Sequence, residues 1–224
     1  MTSIKYRKDI DGLRALAILS VIIFHAAPLR LPGGYVGVDI FFVISGFLIT
    51  SIIKRSIERG NFSLRTFYLR RVRRLFPALC LVLAACIGVG WLVLVSHEFT
   101  ELGKHVAGGV GFISNLVLYS EAGYFDTQSE LKPLLHLWSL GIEEQFYIFF
   151  PLLLLCLSKI GARLLHVIVA FTLCSFALNI FAYYSLNIEQ GFYLPQFRFW
   201  EIGIGAIIAY RPPSLQIADI RQNL

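Results

Sequence analysis

The chain has 224 residues, 57% of them hydrophobic and only 15% charged, with a formal net charge of +6. That balance excludes an ordinary soluble domain or a disordered chain and places the protein in a lipid bilayer. The positive charge is also local: Lys54, Arg55, Arg59, Arg65, Arg70, Arg71, Arg73 and Arg74 crowd one loop between two apolar runs, which the positive-inside rule accounts for without a nucleic-acid partner.

The first predicted span is Leu13 to Ala27, preceded by Lys5, Arg7 and Lys8. It imitates a secretory signal, but cleavage after Ala27 would face Pro28 and discard His25, so the span is read as retained. Arg14 and His25 lie eleven residues apart on it. At about 100° per residue they return to nearly the same face, separated by roughly 16 Å along the axis. That is about half of a hydrocarbon core roughly 30 Å thick, and ionisable groups at such depth read as functional.

Pro28 to Gly34 turns the chain back, and a second span runs from Tyr35 to Ile53 with Asp39 near its start. The basic segment Lys54 to Arg74 is assigned to the cytoplasm, which puts the N-terminus inside and makes the third span, Leu75 to Val95, an exit. Val106 to Tyr119 is apolar but short, and holds Gly108, Gly109, Gly111 and Asn115. A re-entrant or interfacial segment fits it better than a crossing. Leu137 to Leu157 returns to Lys159 and Arg163, Leu164 to Leu186 exits, Asn187 to Gln196 is external, and Phe197 to Tyr210 returns to Arg211. The expectation is an all-α integral membrane protein, a polytopic helical bundle of about six full spans plus one re-entrant or short segment. Residues 1–210 form its membrane domain and 211–224 a polar tail. Cys80, Cys86, Cys156 and Cys174 lie within apolar segments without paired spacing and are read as buried packing residues, with no metal site expected.

Five stretches in order, DGLRALAILSVIIFHA (Asp11 to Ala26), GGYVGVDIFFVISGFLIT (Gly33 to Thr50), FYLRRVRRLFP (Phe67 to Pro77), LLHLWSLGIEEQFYIFFPLL (Leu134 to Leu153) and RFWEIGIGA (Arg198 to Ala206), resemble the acyltransferase 3 family of bacterial membrane O-acyltransferases. The likeness is to the branch that acetylates O-antigens and other envelope polysaccharides. The resemblance implies an inner-membrane enzyme that takes an acyl group, acetyl in this branch, from cytoplasmic acyl-CoA. It delivers that group to a hydroxyl of a polysaccharide or lipopolysaccharide sugar at the outer face. Acyl-CoA is then a donor substrate rather than a permanently bound cofactor, and the partners are that donor, an envelope carbohydrate acceptor and the bilayer. Members of the family usually have about ten spans, so the chain is expected to correspond to the N-terminal portion of such a protein, lacking the C-terminal part.

His25 matches the family's essential histidine in an arginine, ten residues, histidine motif. Independently, a near-neutral pKa suits a base for a sugar hydroxyl attacking a thioester; a transient acyl-histidine is the competing role. Arg14, which in isolation would be read as snorkelling to the surface, shares His25's phase and so its cavity. Arg71 and Arg74 match paired arginines before the third span and, three residues apart, share a face; guanidinium forks suit the phosphates of coenzyme A. Asp39 and Glu143 fall at a depth similar to His25 and either orient the imidazole, bind sugar hydroxyls or form a structural salt bridge. Glu143 matches the family's glutamate more closely than Glu144. Trp138 and Tyr147 offer a sugar an aromatic surface, with an interface anchor the alternative for Trp138. Gly46 is read as close helix packing and Ser45 as cavity lining. Arg198 and Glu201, at i and i+3, are read as an intramembrane pair. His97, His105 and His166 lack the setting of His25, and of the remaining histidines only His136, beside the outer motif, is a further candidate. Two rival readings stand beside the enzyme: a proton-coupled transporter, which uses the same intramembrane charges, and an inactive remnant of the acyltransferase.

Overall fold

In lipid every backbone N–H and C=O must find its partner within the segment, which for isolated spans means a helix. The computed structural model describes residues 7–122, 131–159, 163–185 and 188–210, and every regular element among them is helical. In chain order these are α1 (Lys8–Ala26), a 3₁₀ turn (Gly34–Val36), α2 (Gly37–Glu58), α3 (Leu64–Val93), α4 (Ser96–Val110), α5 (Ser114–Glu121), α6 (Leu137–Lys159), α7 (Leu164–Ser185), α8 (Ile188–Tyr193), a second 3₁₀ turn (Pro195–Phe197) and α9 (Phe199–Ala209). The polar tail expected at 211–224 lies outside the described residues.

Among the described residues, four helices are long and apolar enough to cross a membrane: Gly34–Glu58, Leu64–Val93, Leu137–Lys159 and Leu164–Ser185. The expected count of about six is higher because it included the first and last spans. At a rise of about 1.5 Å per residue, the 11 residues of α9 reach only about half-way across a hydrocarbon core of roughly 30 Å. The 19 residues of α1 carry Lys8, Asp9, Asp11 and Arg14 in their first two turns, which lowers the apolar length available.

Two further boundaries differ from expectation. Helix α3 begins at Leu64, eleven residues before Leu75, because Ser63 caps it by accepting a hydrogen bond from the Thr66 amide at 3.4 Å; the leucines and arginines that follow are good helix formers. Arg65 to Arg74 are therefore helical rather than in a loop. The apolar stretch Val106 to Tyr119 is divided between α4 and α5 by a break at Gly111–Ile113, where Phe112 takes a left-handed backbone with φ of 55°. That conformation is costly for a residue with a β-carbon. It is held because the Phe112 carbonyl accepts from Gln145 Nε2 at 2.8 Å and its ring packs edge-on against Phe76. With 15 and 8 residues, neither helix has the length of a span.

The described chain forms two units. The first comprises residues 7–55, 163–174 and 200–210. Its helices approach through glycines: a β-carbon at Gly37 would collide with the Ala17 carbonyl, one at Gly46 with the Ile202 carbonyl, and one at Gly205 with the Val43 carbonyl. The second gap closes α2 onto α9 from both sides, the packing predicted for Gly46, and Gly203 sits in the same way against Thr172 of α7. Such small-residue contacts replace the hydrophobic effect as the source of helix association in lipid.

The second unit comprises residues 56–159 and 175–199. Leu79 and Leu83 of α3, Leu102 of α4 and Leu134 before α6 are buried together at its core. A polar thread crosses it: Gln145 Nε2 donates to the side-chain oxygen of buried Asn115 at 2.8 Å, and Asn115 Nδ2 donates to the Tyr193 carbonyl at 2.9 Å. Asn115 lies against Gly141, where a β-carbon would meet its amide oxygen. One buried amide thus ties α5, α6 and α8 together. Cys80, Cys156 and Cys174 are exposed free thiols and Cys86 is partly buried, so the expectation of buried packing cysteines is corrected. A small apolar side chain is as well accommodated against lipid as inside the protein.

Candidate active site

In the first unit α1 is one uninterrupted helix through both Arg14 and His25, so the eleven-residue phase holds in the structure. Its inward stripe is Ile10 and Ala17, both buried, with Arg14 between them half-buried. His25, in the last turn, is exposed, and its Nδ1 lies 2.8 Å from the Val21 carbonyl. A carbonyl only accepts, so Nδ1 carries the proton and, in the neutral ring, Nε2 holds the basic lone pair. The ring is fixed edge-on against Phe24 with centroids 5.2 Å apart. Asp39 stands in the first turn of α2, half-buried, where the helix N-terminus favours a negative charge. Ser45 is half-buried beside the Gly46 contact.

In the second unit α3 and α6 meet through charge. Arg71 Nε donates to both Glu144 oxygens at 2.9 and 3.0 Å, and its Nη2 closes the fork on Glu144. The guanidinium carbon lies 3.5 Å from the Tyr147 ring centroid, and Nη2 is 3.8 Å from Glu143. Tyr147 donates its hydroxyl to Glu143 at 2.6 Å. The Glu144 side chain is only 7% exposed, against 23% for Glu143. Of the residues predicted from sequence, Arg71, Glu143 and Tyr147 are therefore brought together. Glu144, which the sequence reading ranked below Glu143, provides the main counter-charge. Arg74, on the next turn, is exposed.

Trp138 is buried, its ring 4.4 Å from Phe192 between centroids, and the Arg198 guanidinium lies 5.5 Å from each of these two rings. Trp138 thus packs behind Arg198 rather than presenting an open face. Glu201 is buried at the start of α9.

One cluster had no counterpart in the sequence reading. Buried His105 of α4 has Nε2 at 2.8 Å from Glu121 of α5, and Lys132 donates to the same carboxylate at 3.0 Å. Burial pushes the Glu121 carboxyl up, but the His105 and Lys132 hydrogen bonds and charges outweigh it, leaving it below its ordinary value. Glu121 and Lys132 flank a segment with no apolar periodicity, so no spacing rule pairs them. Among the described residues no three His, Cys, Asp or Glu side chains are grouped as a metal site would require.

A polytopic helical bundle carrying histidine, arginine and carboxylates on its apolar helices is the class that fold and site define. Within it, the acyltransferase domain family, acyltransferase 3, matches residues 7–221, and the chain belongs to that family. Among curated proteins it is similar to the Staphylococcus aureus "Putative O-acetyltransferase SAS0844", 36% identical over 96% of this chain and 36% of that one. It is also similar to the Bacillus subtilis "Putative peptidoglycan O-acetyltransferase YrhL", 37% identical over 97% of this chain and 35% of that one. An uncharacterised Haemophilus influenzae protein is 35% identical over 76% of this chain and 73% of its own length. The chain spans about a third of the length of the acetyltransferase relatives. No solved structure matches it.

Proposed function

We propose that the protein acts in a bacterial inner membrane, N-terminus cytoplasmic, as an O-acyltransferase that moves an acyl group from cytoplasmic acyl-CoA to a sugar hydroxyl of an envelope polysaccharide. Acetyl is the group in keeping with the relatives' names, and peptidoglycan, named for the Bacillus subtilis relative, is one acceptor of this class. The observation that carries the reading is His25: the Val21 carbonyl holds the proton on Nδ1, leaving Nε2 as the base, on a helix whose inward face holds Arg14.

In the proposed reaction His25 Nε2 takes the proton of the sugar hydroxyl as its oxygen attacks the thioester carbonyl. The tetrahedral centre collapses, the carbon–sulfur bond breaks, and coenzyme A leaves as thiolate and recovers the proton from the imidazolium. Asp39 is assigned to orientation of the imidazole or the acceptor and Ser45 to the lining of the acyl path, whereas Glu143 and Tyr147, which meet Arg71, are assigned to holding its guanidinium in place. Arg14 and Arg74 are assigned to the donor. Arg71, whose fork is taken up by Glu144, is assigned to the donor side through its placement of α3 rather than through an open fork.

Membranes containing the chain, given acetyl-CoA labelled in the acetyl group, should transfer label to envelope carbohydrate. His25→Ala should abolish that transfer, by at least the 10²–10⁴-fold of a general base, while expression is retained. Retained turnover would remove His25 from the chemistry. Accumulation of substrate without acetylation would favour the transporter, and neither activity would favour the remnant.

A further inference from the structure

The positive-inside rule accounts for arginines in a cytoplasmic turn, but two arginines of α3 stand beyond the turn. Arg71 donates to Glu144 at 2.9 Å, and Tyr68 donates its hydroxyl to the Ile148 carbonyl at 2.7 Å. These two bonds make α3 and α6 antiparallel and match their levels. From Glu144, α6 continues to Lys159, about 22 Å of helix at about 1.5 Å per residue. Phe149, Leu152 and Leu153 are exposed along that stretch, an apolar surface suited to acyl chains. Arg70 and Arg73 flank Arg71 and are themselves exposed. Their guanidiniums therefore stand at a level where the neighbouring helix is already apolar.

Helical phase separates them from the ion pair. At about 100° per residue, Arg73 is turned roughly 160° from Arg71, away from Glu144, and Arg70 joins it at i and i+3. Continuing along the face of Arg73, Cys80 and Ile87 follow at seven-residue steps, both exposed. The face thus presents two cations at one end and roughly 20 Å of exposed apolar helix beyond them. Among the described residues neither arginine has a hydrogen-bond or ion-pair partner. A guanidinium at membrane depth is costly without one, and its fork matches a phosphate. A soluble phosphate supplies only that first part. A phospholipid supplies both parts, in the order in which the face presents them. Two adjacent guanidiniums repel the second charge of a zwitterionic headgroup, which leaves an anionic one.

We infer that Arg70 and Arg73 hold the phosphate of an anionic phospholipid whose acyl chain runs along Cys80 and Ile87. The site does not depend on the reaction proposed above or on the residues assigned to the donor.

The test is native mass spectrometry of the full chain in detergent, titrated separately with phosphatidylglycerol and phosphatidylcholine of the same acyl chains. Wild type should take up phosphatidylglycerol at a concentration lower by about tenfold, the scale of one charge-assisted contact. Arg70→Gln combined with Arg73→Gln should remove that difference. Arg73→Lys alone should be intermediate, because it keeps the charge and loses the fork. Arg59 and Arg65, exposed beside the α2–α3 turn, supply the control: Arg59→Gln with Arg65→Gln removes the same charge and should keep the preference. Equal uptake of the two lipids by wild type, or a preference kept in the Arg70/Arg73 variant, would overturn the site. Equal loss in both double variants would also overturn it, reducing the effect to net charge. So would displacement of bound phosphatidylglycerol by coenzyme A or by inorganic phosphate, which would assign the arginines to a soluble phosphate.

Discussion

Arg71 shows how a charge survives among apolar helices: it receives a carboxylate at hydrogen-bond distance, a second nearby, and an aromatic face. Removing one member of such a pair leaves the other uncompensated, at a cost of about 3–5 kcal/mol. Arg71→Ala should therefore lower the unfolding midpoint in detergent sharply, and Arg71→Ala with Glu144→Gln should recover most of the loss. A single variant as stable as wild type would show that the pair holds nothing together. Arg74, exposed on the next turn, should behave oppositely. Arg74→Ala should leave stability unchanged and weaken coenzyme A binding, with Arg74→Lys intermediate because it keeps the charge and loses the fork. Equal affinity in all three would take Arg74 out of the donor site. The contrast marks what the sequence could reveal. Arg14 and His25 are read from a period within one helix, whereas Arg71 and Glu144 are 73 residues apart, and only the need of an intramembrane charge for some partner hints at the pair.

Helix pairs in lipid depend on how closely backbones approach, and Gly46 facing Ile202 with Gly205 facing Val43 is the tightest such approach between α2 and α9. A methyl group at Gly46 has backbone in its way and must push the helices apart. Gly46→Ala is expected to cost about 1–3 kcal/mol, while Gly88→Ala, with nothing within 4 Å, should be neutral. Detergent-extracted folded yield would compare them, and equal loss in both would deny the contact its role. The α4–α5 hairpin makes a different prediction, because Glu121 is held below its ordinary value by His105 and Lys132 against the opposing effect of burial. A carboxylate depressed in the folded state stabilises above its unfolded value, about 4.3 for glutamate, and that stabilisation is lost as pH falls through the folded value. Wild type should lose stability on acidification below about pH 4 more steeply than Glu121→Gln, and parallel curves would sink the assignment. Helix existence was legible here from apolar runs, and Gly46, a residue without a side chain within an apolar motif, was legible as a point of close packing. The break at Phe112 was not, because it depends on Gln145, 33 residues away, donating to the displaced carbonyl.

The charge on the whole molecule fixes its orientation only if every crossing is counted, and the count turns on α4 and α5. Lys54, Arg55, Arg59 and Arg65 flank the turn between α2 and α3, and the positive-inside rule predicts that this turn faces the cytoplasm. From that turn, α3 leads out, α6 back in and α7 out again, provided that the 15 and 8 residues of α4 and α5 do not cross. The end of α7 is then external, which is the side the proposed acceptor occupies. Cysteine placed at exposed Asn61, in the α2–α3 turn, and at exposed Ser185, the last residue of α7, tests the parity in one experiment once the four native thiols are replaced by alanine. A membrane-impermeant maleimide applied to intact spheroplasts should label Ser185→Cys at once and Asn61→Cys only after permeabilisation. Labelling of both positions from the same side would mean that the α4–α5 hairpin adds a crossing.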